Sequence, residues 1–135
     1  MNPDELYQKL SQYFPNELDL MKYLKIGACW EYFITEHSTN EEHAKLHYFL
    51  HKKDENLLIM SKEDPKITPD LILYFTEKAI LQLIEGNPSA VIYYERYNDL
   101  MDNPKPEIEL DNKVNKPRLK LWRIGYKKWQ EVYKF

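Results

Sequence analysis

The 135-residue sequence is 43% hydrophobic and 30% charged, a composition that is typical of a single globular domain and unlike that of a disordered chain. Its net charge of −3 hides a basic end, because residues 113–135 carry eight Lys or Arg and one acidic residue. One cysteine excludes an intrachain disulfide, no apolar run approaches the ~20 residues of a transmembrane helix, and the first ten residues do not resemble a signal peptide, so we expect a cytoplasmic protein.

The first half of the chain predicts helices followed by strands. Asn2 and Pro3 are typical of a helix start, and a second helical segment is expected over residues 18–26, ending at Gly27. Because Pro15 lies between them, the two segments are either two short helices or one kinked helix. Alternating apolar residues then predict four strands, at residues 28–36, 43–52, 56–61 and 70–75.

The second half predicts mainly helices. Thr76 follows the fourth strand directly and is a typical cap for a helix that ends at Gly86. Asn87-Pro88 predicts the next helix, whose expected inward residues are Val91, Tyr94, Tyr97 and Met101. Residues 108–110 are predicted to form a fifth short strand. Residues 116–134 are predicted to form one final helix with an apolar stripe of Leu119, Trp122, Tyr126, Trp129 and Tyr133. The order predicts one α+β domain over residues 1–135, with a mainly antiparallel five-stranded sheet and helices packed on one face.

No group of residues predicts catalysis. His43, His47 and His51 would share one face of a helix, but their apolar neighbours alternate as in a strand, where four residues span ~13 Å, too far for one metal ion. Cys29 lies in an apolar run and is expected to be a buried, inert thiol. With three isolated glycines and carboxylates placed in turns, we expect no enzyme, no metal and no cofactor.

The basic residues of the final helix allow two interpretations. The helix either packs its aromatic face into the core beneath a solvated basic rim, or contacts an anionic surface such as lipid headgroups or an acyl-phosphate group. Nucleic acid is not expected, because the strands carry as many acidic as basic residues. The candidate contact residues are Arg118, Lys120, Arg123, Lys127 and Lys128.

The stretch from residue 70 to residue 88 resembles a known family. Asp70 and the apolar run 71–75 lead into Thr76 and Glu77, and Gly86-Asn87-Pro88 follows the helix. This arrangement, with the order of the surrounding helices and strands, resembles the sterol carrier protein family of non-specific lipid-binding domains. The chain lacks the Gly-Asp pair that the family often has after the second of these helices, and it does not end in the Ser-Lys-Leu type of peroxisomal signal.

The resemblance implies an apolar tunnel between sheet and helices for a sterol, fatty acid, acyl-CoA or phospholipid. The first hypothesis is therefore non-catalytic lipid binding or transfer by a monomer or homodimer, with transient contact to a membrane surface. The alternative is an interaction subunit with a fully packed core, which docks a partner through its basic aromatic C-terminal helix. The candidate lipid-binding residues are Leu73, Phe75, Ile80, Leu83, Ile84, Trp122, Tyr126 and Trp129.

Overall fold

A five-stranded sheet organises the fold in the computed structural model, which describes residues 1–135. Its strands are β1 Cys29–Thr35, β2 Leu46–Asp54, β3 Leu57–Ser61, β4 Leu71–Thr76 and β5 Leu110–Val114. Their order across the sheet is β3-β2-β1-β4-β5. Only the central pair, β1 and β4, is parallel, and the other three pairs are antiparallel. The predicted α+β class and mainly antiparallel sheet are confirmed.

Five helices and two short 3₁₀ helices accompany the sheet. The α-helices are α1 Pro3–Ser11, α2 Glu77–Ile84, α3 Ala90–Asp102, α4 Arg118–Ile124 and α5 Tyr126–Tyr133. The second short helix expected over residues 18–26 is instead a 3₁₀ helix limited to Leu18–Met21, and another 3₁₀ helix, Phe14–Asn16, contains Pro15 and precedes it. Side chains from these elements and from one face of the sheet form a single apolar core. None of the helices has the length and apolar character needed to cross a bilayer.

Two predicted caps position their helices. The Asn2 side chain accepts a hydrogen bond from the Glu5 amide at 2.8 Å, and the Glu5 carboxylate accepts one from the Asn2 amide at 3.3 Å. Thr76 ends β4 and caps α2, since its hydroxyl accepts from the Ala79 amide at 3.3 Å. Strand and helix therefore meet without a loop, and α2 folds back over the sheet.

The opposite face of the sheet carries an aromatic row. Phe33 stacks on His47 at 4.4 Å and on Tyr74 at 5.5 Å, and His47 also contacts the Glu31 carboxylate at 2.7 Å. The strand prediction for this histidine segment is confirmed. One detail differs: His43 lies before β2, because the strand begins only at Leu46. The His51 side chain is half-buried within the strand.

Three expectations about the second half are wrong in detail. Helix α3 starts after Ser89, whose hydroxyl accepts from the Ile92 amide, and Val91 and Met101 are exposed rather than inward. Strand β5 spans Leu110–Val114 instead of 108–110. It is a polar edge strand, so apolar alternation does not reveal it.

The final helix is not continuous, in contrast to the prediction. Gly125 has φ +116° and separates α4 from α5. A Cβ atom at this position would lie 2.2 Å from the Tyr23 carbonyl oxygen, so only glycine fits against that backbone. The turn divides the predicted apolar stripe: Tyr126, Trp129 and Tyr133 are buried, whereas Leu119 and Trp122 are exposed.

Candidate functional site

An apolar cavity of about 100 Å³ lies between the sheet and helices α3 and α5. Nine of its eleven lining residues are hydrophobic. The lining residues are Trp30, Leu71, Leu73, Tyr93, Tyr94, Tyr97, Asn112, Val114, Trp129, Gln130 and Phe135. A larger depression of about 420 Å³ between α1 and α2 is open and lined mainly by polar residues, so it lacks the apolar character of a lipid site.

Phe135 lies over the cavity. Its ring stacks on Trp129 with centroids 4.5 Å apart and meets the rings of Tyr94 and Tyr97 edge-on at 5.3 and 5.5 Å. Its amide donates to the Gln130 carbonyl at 3.0 Å, and Lys134 before it has φ +61°. The chain therefore turns back after α5 and places an aromatic ring, still 41% exposed, against the cavity lining.

Several polar groups around the cavity are already hydrogen-bonded within the protein. The Asn112 amide donates to the Tyr97 hydroxyl at 3.0 Å, and the Tyr94 hydroxyl donates to the Leu20 carbonyl at 2.8 Å. Burial raises the pKa of Tyr97 to about 12 and the pKa values of Tyr93 and Tyr94 well above their usual range. The side chains of the lining are therefore uncharged at neutral pH.

The buried carboxylate of Asp70 anchors residues beside the cavity through hydrogen bonds. Asp70 is fully buried and accepts hydrogen bonds from the Cys29 amide at 3.0 Å, the Tyr126 hydroxyl at 2.7 Å and Lys116 Nζ at 2.5 Å. The Trp30 indole, which lines the cavity, donates to the Tyr126 hydroxyl at 2.9 Å. Burial, with the charge of Asp70 next in importance, raises the pKa of Tyr126 well above its usual range, so it remains a hydroxyl donor.

The candidate lipid-binding residues lie in five different places. Leu73 and Trp129 line the cavity, whereas Phe75, Ile80 and Leu83 are fully buried in the packed core. Ile84 borders the depression between α1 and α2. Tyr126 is buried against Asp70, and Trp122 lies on the outer surface of α4. The structure therefore brings two of the eight residues together at the cavity.

The other sequence-based candidates lie elsewhere. All five basic candidates, Arg118, Lys120, Arg123, Lys127 and Lys128, are exposed on α4 and the first turn of α5. Cys29 is fully buried, and burial, with Asp70 adding to it, raises the pKa of its thiol to about 12. No three His, Cys, Asp or Glu side chains converge to hold a metal ion.

Sequence reasoning missed most of the cavity. Trp30 and Leu71 were visible as apolar positions of β1 and β4, and Tyr93, Tyr94 and Tyr97 belong to one face of α3. Pairing these faces was not possible without knowing that β1 and β4 are neighbours. No sequence pattern indicates that Phe135 folds back onto them.

Comparison with known proteins gives a similarity to a solved structure. No family model matches the chain, and no curated protein matches it. Among solved structures it is similar to "Sterol Carrier Protein 2 from Yarrowia Lipolytica (apo form)", with 18% sequence identity over 84% of this chain and 75% of that chain, and a TM-score of 0.41. At this identity and TM-score the similarity carries nothing about a ligand. The solved structure to which the chain is similar is a sterol carrier protein.

Proposed function

We propose that this protein binds an apolar lipid in the cavity between its sheet and helices α3 and α5, without catalysing a reaction. The observation that carries the proposal is the lining, which is uncharged at neutral pH and hydrophobic at nine of eleven positions. Such a lining selects ligands by apolar area, at about 0.8 kcal/mol for each buried methylene group. The ligand classes to test are fatty acid, acyl-CoA, sterol and phospholipid.

The size of the cavity determines how a lipid would enter. At about 100 Å³ it is smaller than the ~150 Å³ apolar cavities known to take up benzene, so it holds only one end of a lipid as it stands. A longer chain requires the Phe135 ring to move aside. That ring is partly exposed, and its segment is attached to α5 only through the Lys134 and Phe135 amides, which both donate to the Gln130 carbonyl. Its displacement would uncover the ring contacts that Trp129, Tyr94 and Tyr97 now make with it, and the lipid would replace them.

The alternative, an interaction subunit with a fully packed core, is not favoured, because an apolar cavity remains beside that core. Under our proposal the protein needs no cofactor and no protein partner to bind its ligand. The cytoplasmic location and the choice between monomer and homodimer stay predictions.

Native mass spectrometry of the freshly purified protein tests the proposal. We expect a stoichiometric adduct that extracts into organic solvent, or an apo protein that takes up added fatty acid, acyl-CoA, sterol or phospholipid. An apo mass that takes up none of these ligands would contradict lipid binding.

A pair of variants localises the ligand. Val114 lines the cavity and is 62% exposed, so Val114→Trp fills the entrance without overpacking the core. We expect it to weaken binding of a fluorescent fatty acid by about tenfold or more, equivalent to ~1.4 kcal/mol. Val91→Trp is the matched control, because Val91 is 55% exposed on α3 and does not line the cavity. Equal affinity in both variants would place the ligand elsewhere.

A further inference from the structure

Helix α4 presents apolar side chains to solvent. Only Leu121 of this helix is buried, whereas Leu119 is 65% exposed and Trp122 is 40% exposed. At 100° per residue, Leu119 and Arg123 lie nearly opposite Leu121, with Trp122 beside them. A helix that packs on a core normally turns its large apolar residues inward, so this outward pair requires an explanation.

The position of α4 is fixed from both sides. The Ile124 carbonyl accepts a hydrogen bond from the Lys25 amide at 2.8 Å, and Gly125 lies against the backbone of Tyr23. Before the helix, Lys116 is bound to the buried carboxylate of Asp70. Because both ends are held, α4 cannot rotate to bury Leu119 and Trp122, and their exposure belongs to the folded state.

Unpaired positive charges surround this apolar pair. None of the five exposed basic residues of α4 and the start of α5 has a carboxylate within 4.0 Å, unlike Lys45, Lys78 and Lys116. The Arg118 guanidinium and Lys127 Nζ lie 5.5 and 5.1 Å from the centre of the Trp122 ring. The groove on the other side of α4 is bordered by Lys116, Lys120 and Arg123 and contains no acidic residue.

We propose that this surface, formed by Leu119, Trp122 and the five basic residues around them, docks on an anionic lipid bilayer. Tryptophan and leucine side chains enter the headgroup region of a bilayer, and Lys and Arg beside them attract anionic headgroups. The structure favours a bilayer over a protein because only two apolar side chains are exposed among five long, flexible cations. That arrangement lacks the larger apolar centre of a stable protein interface, and a fluid headgroup layer requires no shape complementarity.

Vesicle binding tests this inference independently of the cavity. The full chain is mixed with vesicles of phosphatidylcholine alone or of phosphatidylcholine with phosphatidylglycerol, and the bound fraction is measured by sedimentation. We expect binding to the anionic vesicles only, with a loss at high salt because exposed charges are screened. Trp122 is the only exposed tryptophan of the three, so we expect the tryptophan emission of the unaltered chain to shift to shorter wavelength on binding.

Two patch variants and one control identify the surface. Lys120→Glu/Arg123→Glu and Leu119→Ala/Trp122→Ala are each expected to lower the vesicle partition coefficient by about tenfold or more. Lys9→Glu/Lys105→Glu makes the same change in net charge at exposed lysines outside this surface, and we expect it to keep most of the binding.

Three results would overturn the inference: no binding to anionic vesicles, equal losses in the patch and control variants, or binding to polyglutamate but not to vesicles. The last result would identify the surface as a site for an acidic protein. Loss of lipid uptake by the cavity with intact vesicle binding would affect the proposed function alone.

Discussion

Tyr32 and Tyr48 show how single side chains shape the interior. They are partners across β1 and β2, and their rings stack with centroids 4.5 Å apart and planes within 11°. Both side chains are fully buried, and neither hydroxyl has a hydrogen-bond partner. Tyr94 differs, because its hydroxyl donates to the Leu20 carbonyl and accepts from the Trp129 indole at 3.2 Å. Equally buried tyrosines therefore contribute differently to stability.

The substitution Tyr32→Phe is expected to leave the free energy of unfolding unchanged or to raise it by up to about 1 kcal/mol, because it removes an unpaired buried hydroxyl. Tyr94→Phe is the matched control and is expected to lower it by about 1 kcal/mol, because the Leu20 carbonyl and the Trp129 indole each lose one of their two hydrogen-bond partners. Chemical denaturation of both variants measures the difference. Equal destabilisation would show that the Tyr32 hydroxyl is hydrogen-bonded in solution.

The turn at Gly125 decides how the C-terminal element contributes to the fold. It places α5 in the core, where Trp129 and Tyr133 are buried, and leaves α4 on the surface. The same backbone contact with Tyr23 joins this end of the chain to the segment before β1. One residue therefore controls both the cavity wall and the exposed basic surface.

Replacing Gly125 with alanine is expected to lower the free energy of unfolding by more than about 2 kcal/mol, since it combines a positive φ with a clash against the Tyr23 carbonyl. Gly27→Ala is the control: its φ is +98°, but no atom lies within 4 Å of the added Cβ. We expect Gly27→Ala to lower the free energy of unfolding by about 1 kcal/mol, which is the cost of the backbone strain alone. Thermal and chemical denaturation compare the two, and equal losses would mean that the close approach to Tyr23 contributes little.

Sequence patterns predicted local structure better than they predicted the candidate site. Caps and alternation near Asn2 and Thr76 were sufficient to place α1, β4 and α2, because those signals act within a few residues. The stripe from Leu119 to Tyr133 predicts one helix and does not indicate the break at Gly125. That break depends on a contact with Tyr23, about a hundred positions away in the sequence. The cavity depends on similar long-range pairings, and only Leu73 and Trp129 were identified among its lining residues.

The protein as a whole buries an unusual number of phenol groups. Burial raises the pKa of eight of the eleven tyrosines, to about 12 for Tyr97 and Tyr133 and above the usual range for the six others. These others are Tyr13, Tyr32, Tyr48, Tyr93, Tyr94 and Tyr126. In the unfolded chain each tyrosine titrates near its ordinary pKa of about 10.

This difference in pKa predicts alkaline unfolding. Above about pH 10 the unfolded chain loses tyrosine protons that the folded protein keeps. The buried tyrosines therefore do not lower the free energy of unfolding below pH 10, and they lower it progressively as pH rises towards about 12. Chemical denaturation at several pH values, with tyrosinate absorbance recorded in parallel, measures the fall. We expect most tyrosinate to appear together with unfolding. Complete ionisation of all eleven tyrosines in a folded protein would contradict this prediction.

The parallel pairing of β1 with β4 also has a consequence for biosynthesis. Strands β1, β2 and β3 are linked by local connections, so this antiparallel part can assemble as soon as it leaves the ribosome. The other edge of β1 pairs with β4, which begins only at Leu71, and the hydrogen-bonding groups along that edge stay open until β4 has been synthesised. Strand β1, which is central in the finished sheet, is therefore an edge strand in the nascent chain. Until β4 has been synthesised, a strand of another chain can pair with this open edge and start aggregation.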